Sequence, residues 1–323
     1  MAKPTHWANP IATRSLTVLE IVSELVTNTN SFWQVKVAVR EQGAPEWDFT
    51  LYASSMIDGI REVVNRESAF AIVNPSTTLA LAYRGVHPFE SPQPVRTLAV
   101  LPTHDQFVFA VRPETGLRTF EDIAKSRLPL RIGVRSIPEH SVHIMLDHVM
   151  DAAGFSMAEM LEWGAVVKYE GGLPYPDSQK FSDFVDGSLD AVFDEASDYW
   201  VNEALAAGMT ILPVEEATMQ RLEARGFRRG YLRKETFSGL ASDVLTIDFS
   251  GWPMFVHAEA PDTLVRQICA ALDARKGAIP WQGTGPLPLA RMCNEHPDTP
   301  QDVPMHPAAE RFWRERGYIT NAV

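Results

Sequence analysis

Hydrophobic and polar positions follow one another along the chain in repeated blocks, each a strand pattern followed directly by a helix pattern. In the clearest block, apolar residues alternate with Arg131 and Gly133 over residues 130–134, which is the two-residue period of a strand. Ser136, Pro138 and Glu139 follow at the spacing of a cap, a first-turn proline and a capping-box acid. The pattern predicts a helix that begins immediately past the strand end.

Two earlier blocks have the same form. A strand pattern over residues 49–53 leads into Ser54 and Ser55, with an acidic residue three positions after Ser55. An apolar run over residues 69–73 leads into Asn74, Pro75, Ser76 and Thr77, where asparagine is a good cap and proline a good first helical residue. This order of elements predicts an α/β fold of open parallel sheets with helices on both faces.

The turns after these strands predict a ligand site. Ligands of open α/β sheets bind beyond the carboxyl ends of the strands, where helix N-termini offer free N–H groups to anions. Arg135 adds a full positive charge to the turn at Ser136, so we expect one wall of an anion site there, for a carboxylate. Each capping residue also has an ordinary structural role, and both interpretations stay open.

Further candidate ligand contacts come from the other strand ends. Asp194 and Glu195 end the strand pattern over residues 189–193 and can accept hydrogen bonds from an amino or hydroxyl group. Acidic residues are also common at helix N-termini without any ligand. The remaining candidates lie at a presumed hinge, on the helix after Arg135, or among aromatic residues suited to an apolar ligand body: Thr103, His104, Gln106, His140, Tyr175 and Trp252.

A metal site is weighed and not predicted. Glu139, His140, His143 and Asp147 are spaced along one predicted helix, but they match no known ligand signature, and a zinc site needs three or four converging ligands. We predict no cofactor. The sequence contains no glycine-rich phosphate loop, nucleophile elbow or HExxH motif, which argues against several hydrolase classes but not against all catalysis. The two cysteines have no spacing typical of a disulfide framework or a zinc site.

Length and charge limit the possible partners. A chain of 323 residues is expected to form two domains. The formal net charge of -12 gives no electrostatic basis for binding nucleic acid or an anionic membrane. No apolar run reaches the roughly 20 residues of a membrane span, so no direct membrane insertion is expected. The first residues lack the pattern of a secretory signal, which predicts a cytoplasmic protein as written.

Four stretches resemble one known family. Residues 54–85, 107–134, 181–196 and 305–318 read SSMIDGIREVVNRESAFAIVNPSTTLALAYRG, FVFAVRPETGLRTFEDIAKSRLPLRIGV, FSDFVDGSLDAVFDEA and MHPAAERFWRERGY. They are similar to segments of the type II periplasmic-binding-protein fold, most closely of the TAXI branch of TRAP-transporter solute receptors. The resemblance covers most of the chain from Ser15 onward.

The resemblance implies two lobes with a ligand cleft between them, joined by two crossing strands near residues 101–107 and 244–256. Lobe one would comprise residues 1–102 and 250–323, and lobe two residues 103–249. The family's glycine-rich and serine-rich turns are replaced here by Trp7–Pro10 and Arg135–Pro138, so its ligand contacts do not carry over atom for atom. The resemblance also implies a periplasmic location.

Three hypotheses about function follow. The first is a solute-binding protein that clamps a small carboxylate-bearing metabolite, for uptake through a membrane transporter subunit of the TRAP or ABC type, with no chemistry of its own. The second is a cytosolic enzyme on the same fold, such as a decarboxylase of a small aromatic or related acid. It is motivated by the missing export signal and by His104, His140 and His143, which can act as acid or base. The third is a ligand-sensing module without transport.

Overall fold

Two five-stranded sheets with helices packed against them form the framework of the protein. The computed structural model describes residues 19, 21–23, 34–40, 48–54, 57–137 and 139–319. The strands are β1 (Gln34–Arg40), β2 (Asp48–Ser54), β3 (Phe70–Ile72), β4 (Val95–Leu101), β5 (Val108–Val111), β6 (Arg131–Val134), β7 (Val166–Tyr169), β8 (Ala191–Asp194), β9 (Thr210–Ile211), β10 (Arg229–Leu232), β11 (Val244–Ile247) and β12 (Trp252–His257).

The α-helices connect these strands or follow the last one. They are α1 (Asp58–Val64), α2 (Ser76–Arg84), α3 (Asp122–Ser126), α4 (Ser141–Ala153), α5 (Met157–Glu162), α6 (Gln179–Asp186), α7 (Val201–Ala206), α8 (Glu216–Arg225), α9 (Asp262–Arg275), α10 (Leu289–Met292) and α11 (Pro307–Glu315). No helix of the described residues has the length and apolar character needed to cross a membrane.

Each sheet contains a strand that runs antiparallel to both of its neighbours. The first sheet has the order β1-β2-β3-β12-β4, with β12 antiparallel to both of its neighbours. The second has the order β7-β6-β8-β5-β9, with β5 antiparallel to both of its neighbours. The sheets are therefore mixed, and the expectation of purely parallel sheets is wrong at β1, β5 and β12. The sequence also gave no indication of β10, which pairs with β11 in a separate hairpin.

Two extended segments carry the chain from one sheet to the other. The first follows β4 and the second precedes β12, and they run antiparallel to each other. Phe107 N–H donates to the Ile247 carbonyl at 3.1 Å, Phe249 N–H to the Asp105 carbonyl at 3.0 Å and Gly251 N–H to the Thr103 carbonyl at 3.0 Å. The two crossings predicted for this fold class are present, and the class itself, a two-lobed α/β fold, is confirmed.

Apolar residues cover both faces of the second sheet. Along β5, Phe109 and Val111 belong to the core on one face, and Val108 and Ala110 to the core on the other, as the two-residue period of a strand requires. The first sheet likewise separates two apolar clusters. Cys269 and Cys293 are both buried in one of them as free thiols.

Two predicted helix starts are wrong by a few residues. The helix after β6 begins at Ser141 rather than just past Ser136, and its N-cap is His140, whose Nδ1 accepts from Val142 N–H at 3.2 Å. The helix after β3 begins at Ser76 with Pro75 at the N-cap, so Asn74 does not cap it. In both places a short connection separates the strand end from the helix, and this connection leaves Arg135 and Asn74 outside regular structure.

Candidate functional site

A cluster of buried charged groups lies at the carboxyl ends of β6 and β8. These strands are parallel neighbours, so their ends bring Arg135 beside Asp194 and Glu195. Arg135 donates to Asp194 from Nε at 3.0 Å and from Nη2 at 2.8 Å, and to Glu195 from Nη2 at 2.5 Å. Asp194 is 0% exposed and Arg135 is 9% exposed. Although burial alone would lower the pKa of Arg135, the two carboxylates raise it above its ordinary value.

The sequence analysis missed two members of this cluster. Lys180 on α6 is buried, donates to the Gly172 carbonyl at 2.6 Å and lies 3.5 Å from the Asp194 carboxylate. Asp105, in the first crossing segment, accepts from Ala196 N–H at 2.7 Å and from Ser197 N–H at 3.0 Å. Burial, together with the neighbouring charge of Glu195, raises the pKa of the Asp105 carboxyl well above its usual range.

The charges of this cluster balance when Asp105 is protonated. Two cations, Arg135 and Lys180, then face two carboxylates. A neutral Asp105 carboxyl can donate its proton in a hydrogen bond to Glu195, which lies within hydrogen-bonding reach. We call Asp105, Arg135, Lys180, Asp194 and Glu195 the Arg135 cluster.

Two histidines border the Arg135 cluster: His140 at the N-cap of α4 and His143 in its first turn. Burial, reinforced by the charge of Arg135, lowers the pKa of His140 to about 3. Burial also lowers the pKa of His143, although backbone carbonyls of Arg135 and Ile137 accept from its ring. Its Nε2 is buried and has no hydrogen-bond partner within the described part of the chain. A ligand with an N–H or O–H group could satisfy this acceptor.

The turn that follows β3 of the first sheet contacts the start of α4. The Ser141 hydroxyl, at the start of α4, donates to the backbone carbonyl of Asn74, so the turn after β3 meets the helix that follows Arg135. The side-chain Oδ1 of Asn74 is buried without a partner among the described residues. Ser76 donates to the Pro300 carbonyl at 3.3 Å, and Thr77 is buried beside it.

The other predicted contacts lie elsewhere or serve the framework. Ser136 is exposed, and Trp252 packs against the apolar core of the first sheet. The Thr103 hydroxyl accepts from Gly251 N–H at 2.9 Å, and His104 and Gln106 border a cavity on the other side of the crossing segments. Ser55 and the side chain of Ser54 lie outside the described residues.

Two tyrosines stand near the Arg135 cluster on the solvent side. Tyr175, which the sequence analysis proposed as an aromatic cover, meets Tyr199 edge to face at a ring distance of 5.8 Å. Both side chains are exposed, and Tyr175 interacts electrostatically with Arg135 and Glu195. Exposed aromatic faces beside buried polar groups are typical of small-molecule sites.

The structure does not bring together the four residues weighed as metal ligands. His140 and His143 border the Arg135 cluster, whereas Asp147 faces a different cavity with His87. Within the described residues, no three His, Cys, Asp or Glu side chains are arranged to hold a metal ion.

Comparison with known proteins gives one family match. The model of the NMT1-like family matches residues 49–317. No curated protein matches the sequence. Among solved structures, similarity is found to a periplasmic transporter at 13% identity over 62% of each chain, with a TM-score of 0.32. The chain thus spans about three fifths of the length of that protein.

Two further structures share a larger part of the chain. One is a TctC solute binding protein from Polaromonas, at 14% identity over 73% of this chain and 71% of that protein, with a TM-score of 0.35. The other is PhnD1 from Prochlorococcus marinus in complex with methylphosphonate, at 9% identity over 81% and 84%, with a TM-score of 0.39. These scores are too low to support an argument, so the fold assignment depends on the strand order described above.

Proposed function

The chain belongs to the NMT1-like family, and we propose that it is a solute-binding protein that holds a small carboxylate-bearing metabolite between two lobes. Lobe one would be residues 1–102 and 250–323, and lobe two residues 103–249. The protein would work outside the cytoplasm and deliver its ligand to a membrane transporter subunit of the TRAP or ABC type. Membership of the TAXI branch remains part of this proposal.

One observation carries the proposal. The turn at Asn74 and the start of α4 meet through the hydrogen bond from Ser141, and the buried guanidinium of Arg135 lies at the end of β6 just before that helix. A crevice beyond strand ends, with polar groups on both walls and a buried cation, is the usual site of a small anionic ligand in open α/β sheets.

The carboxylate of the ligand would take the position of Glu195 on Arg135. Asp194 is fully buried and fixed by Arg135 and Lys180, whereas the Glu195 side chain retains 11% exposure and contacts Arg135 through one oxygen only. A guanidinium group binds a carboxylate best through two parallel N–H donors. An incoming ligand carboxylate can therefore offer a better pairing than Glu195 does.

Asp105 would provide a hydrogen-bond partner for Glu195 once the ligand has displaced it from Arg135. Burial and the charge of Glu195 raise the pKa of Asp105, which favours its protonated form, and in that form Asp105 can donate to the Glu195 carboxylate after that group leaves Arg135. Ligand binding would then exchange one carboxylate for another on Arg135 without leaving Glu195 as an unpaired buried charge.

The test is a thermal-shift screen of small carboxylic acids, followed by calorimetry of each hit on two variants. Arg135→Lys keeps the positive charge but loses the paired N–H donors of the guanidinium group, so the affinity for the acid should fall about ten-fold or more. Glu195→Gln removes the competing charge, so the affinity should rise by about ten-fold. The matched control is Glu203→Gln, at an exposed position on α7, which should leave the affinity unchanged.

The Glu195→Gln result is the more informative one, because damage to the fold cannot produce tighter binding. Weaker binding in Glu195→Gln, or equal binding in Arg135→Lys and the native protein, would rule out the carboxylate exchange.

The pair of neighbouring carboxyl groups, Asp105 and Glu195, supports the enzymatic alternative. Two carboxyl groups held in different protonation states are a common arrangement for acid–base chemistry. A decarboxylase would consume its acid in the same screen, so each hit is recovered after incubation and analysed. Unchanged acid supports the receptor, and a decarboxylated product supports the enzyme.

A further inference from the structure

A second cavity lies on the opposite side of the crossing segments from the Arg135 cluster. Neighbouring side chains of an extended segment point in opposite directions, so Asp105 faces Ala196 while Gln106 faces Asp248. The cavity measures about 620 Å³, within the range of small-molecule sites. Its walls come from the crossings, from residues 227–233 and from residues 295–297.

The arginines around this cavity are already paired. Arg228 contacts Glu295 at 2.7 and 3.0 Å and Asp302 at 2.6 Å. Arg229 holds Glu216 and Glu223 through four hydrogen bonds of 2.6 to 2.9 Å, and Arg233 contacts Asp243 at 2.6 Å. Of these five carboxylates, Glu223 and Glu295 line the cavity, and each of the three guanidinium groups already has a carboxylate partner, so an anion could bind here only by displacing one of those partners.

Asp248 adds a sixth carboxyl group, and no ion pair engages it within the described residues. It is 7% exposed and borders the cavity. One of its oxygens accepts from the Ser250 hydroxyl at 2.6 Å and from Gln106 Nε2 at 3.0 Å. Burial raises its pKa to about 6, although Gln106 and Ser250 hydrogen bonds and the nearby His104 and Arg228 act in the opposite direction. A cation beside it would relieve the cost of burying this charge.

Gln106, which also lines the cavity, carries a further acceptor. The Oε1 atom of Gln106 is buried without a hydrogen-bond partner in the described part of the chain. It lies where a side chain at position 230 would begin, because an added Cβ on Gly230 would stand 1.8 Å from it. The absence of a side chain on Gly230 makes room for this oxygen, while the Nε2 atom of the same amide donates to Asp248.

We propose that this cavity is a second binding site, for a small organic ammonium ion whose N–H groups donate to the Asp248 carboxylate. The half-buried ring of Tyr231 and the buried ring of Phe227 offer contact to the carbon skeleton of such an ion. Along the chain, residues 295–297 come after β12 of the first sheet, whereas residues 227–233 come after β9 of the second. An ion bound here would therefore contact segments that follow both sheets. This site does not depend on the function proposed for the Arg135 cluster.

The probe is 1,4-diaminobutane, titrated into the full chain at neutral pH and followed by the amide NMR signals of Gly230 and Tyr231. We expect saturable shifts of these signals. Asp248→Asn keeps the size and one acceptor oxygen of the side chain but removes the charge, so it should weaken binding about ten-fold or more. The matched control is Asp186→Asn, an exposed carboxylate at the end of α6, which should bind as the native protein does.

Two further measurements keep the test decisive if the variant is unstable. In the native protein, binding should weaken as the pH falls below about 6, because protonation neutralises Asp248. Tetramethylammonium, which has no N–H group, should bind more weakly than the diamine. The absence of saturable shifts, equal binding to Asp248→Asn, or displacement of the diamine by equimolar Mg²⁺ would overturn the proposal.

Discussion

Arg135 has two acidic partners that are held very differently. Asp194 is fully buried and is contacted by Arg135 and Lys180, whereas Glu195 reaches the guanidinium through a single oxygen and touches Asp105 on its other side. The fixed partner keeps the guanidinium in place, and the other partner is the one that we propose a ligand replaces. The proposed exchange of carboxylates depends on this difference between Asp194 and Glu195 in burial and in contacts.

Arg131, at the start of the strand that leads to Arg135, offers a matched comparison. It pairs with Asp190 through Nε at 2.8 Å and Nη2 at 2.5 Å, but its side chain is 45% exposed against 11% for Arg135. Removing one partner of a buried pair leaves an uncompensated charge, so Arg135→Gln should lower the free energy of unfolding by about 3–5 kcal/mol. Arg131→Gln should cost less than about 1 kcal/mol.

Urea denaturation of both variants measures the difference directly. Equal losses of stability in Arg135→Gln and Arg131→Gln would mean that the Arg135 cluster is as well solvated as the surface pair, and the cleft would then lack a buried cation.

The sequence could identify Arg135, Asp194 and Glu195 as candidates but could not predict that they bind one another. Asp194 lies 59 residues beyond Arg135, and only the order of strands in the second sheet makes them neighbours. The membership of Asp105 in this cluster could not be predicted for a different reason. Its importance comes from burial against Glu195, and burial of a polar turn residue has no local pattern in the sequence.

At the scale of elements, the strand ends were predicted better than the helix starts. Capping signals at Ser136 and Asn74 are real local preferences, but the helices begin at Ser141 and Ser76, and the Ser141 hydroxyl then donates to the carbonyl of Asn74. In the β10–β11 hairpin, by contrast, it is a strand that the sequence pattern does not predict. β10 is four residues long and includes Gly230, a residue that weakens a strand pattern, yet close packing requires glycine there.

Gly230→Ala tests this packing. The added Cβ would lie 1.8 Å from Gln106 Oε1 and 2.7 Å from the backbone of Ile247, so the hairpin or the crossing must shift. We expect a loss of stability of about 1–3 kcal/mol or more in urea denaturation. Gly172→Ala is the control, because its Cβ would meet nothing within 4 Å. Unchanged stability in Gly230→Ala would show that the close approach of β10 to the crossing does not exist.

At the scale of the whole molecule, the two sheets are joined by more than the crossing segments. Leu81 on α2, which follows a strand of the first sheet, is fully buried in a core of the second, and Val86 packs beside it. Ile144 on α4 contacts cores of both sheets. These contacts describe lobes that are packed together, so opening of the cleft by hinge motion must separate an apolar interface as well as the hydrogen bond from Ser141 to Asn74.

The two-sheet architecture could be predicted because strand, turn and helix repeat along the chain and because the family resemblance supplied the crossings. The packing of α2 against a core of the second sheet could not be predicted, because Leu81 fits the apolar stripe of a helix in either lobe.

A crystal structure of the protein with an acid selected by the thermal-shift screen tests the central claim most directly. The account predicts the ligand carboxylate on the Arg135 guanidinium, with Glu195 moved away from Arg135 and hydrogen-bonded to Asp105. An acid bound elsewhere, or Glu195 still paired with Arg135 in the complex, would contradict it.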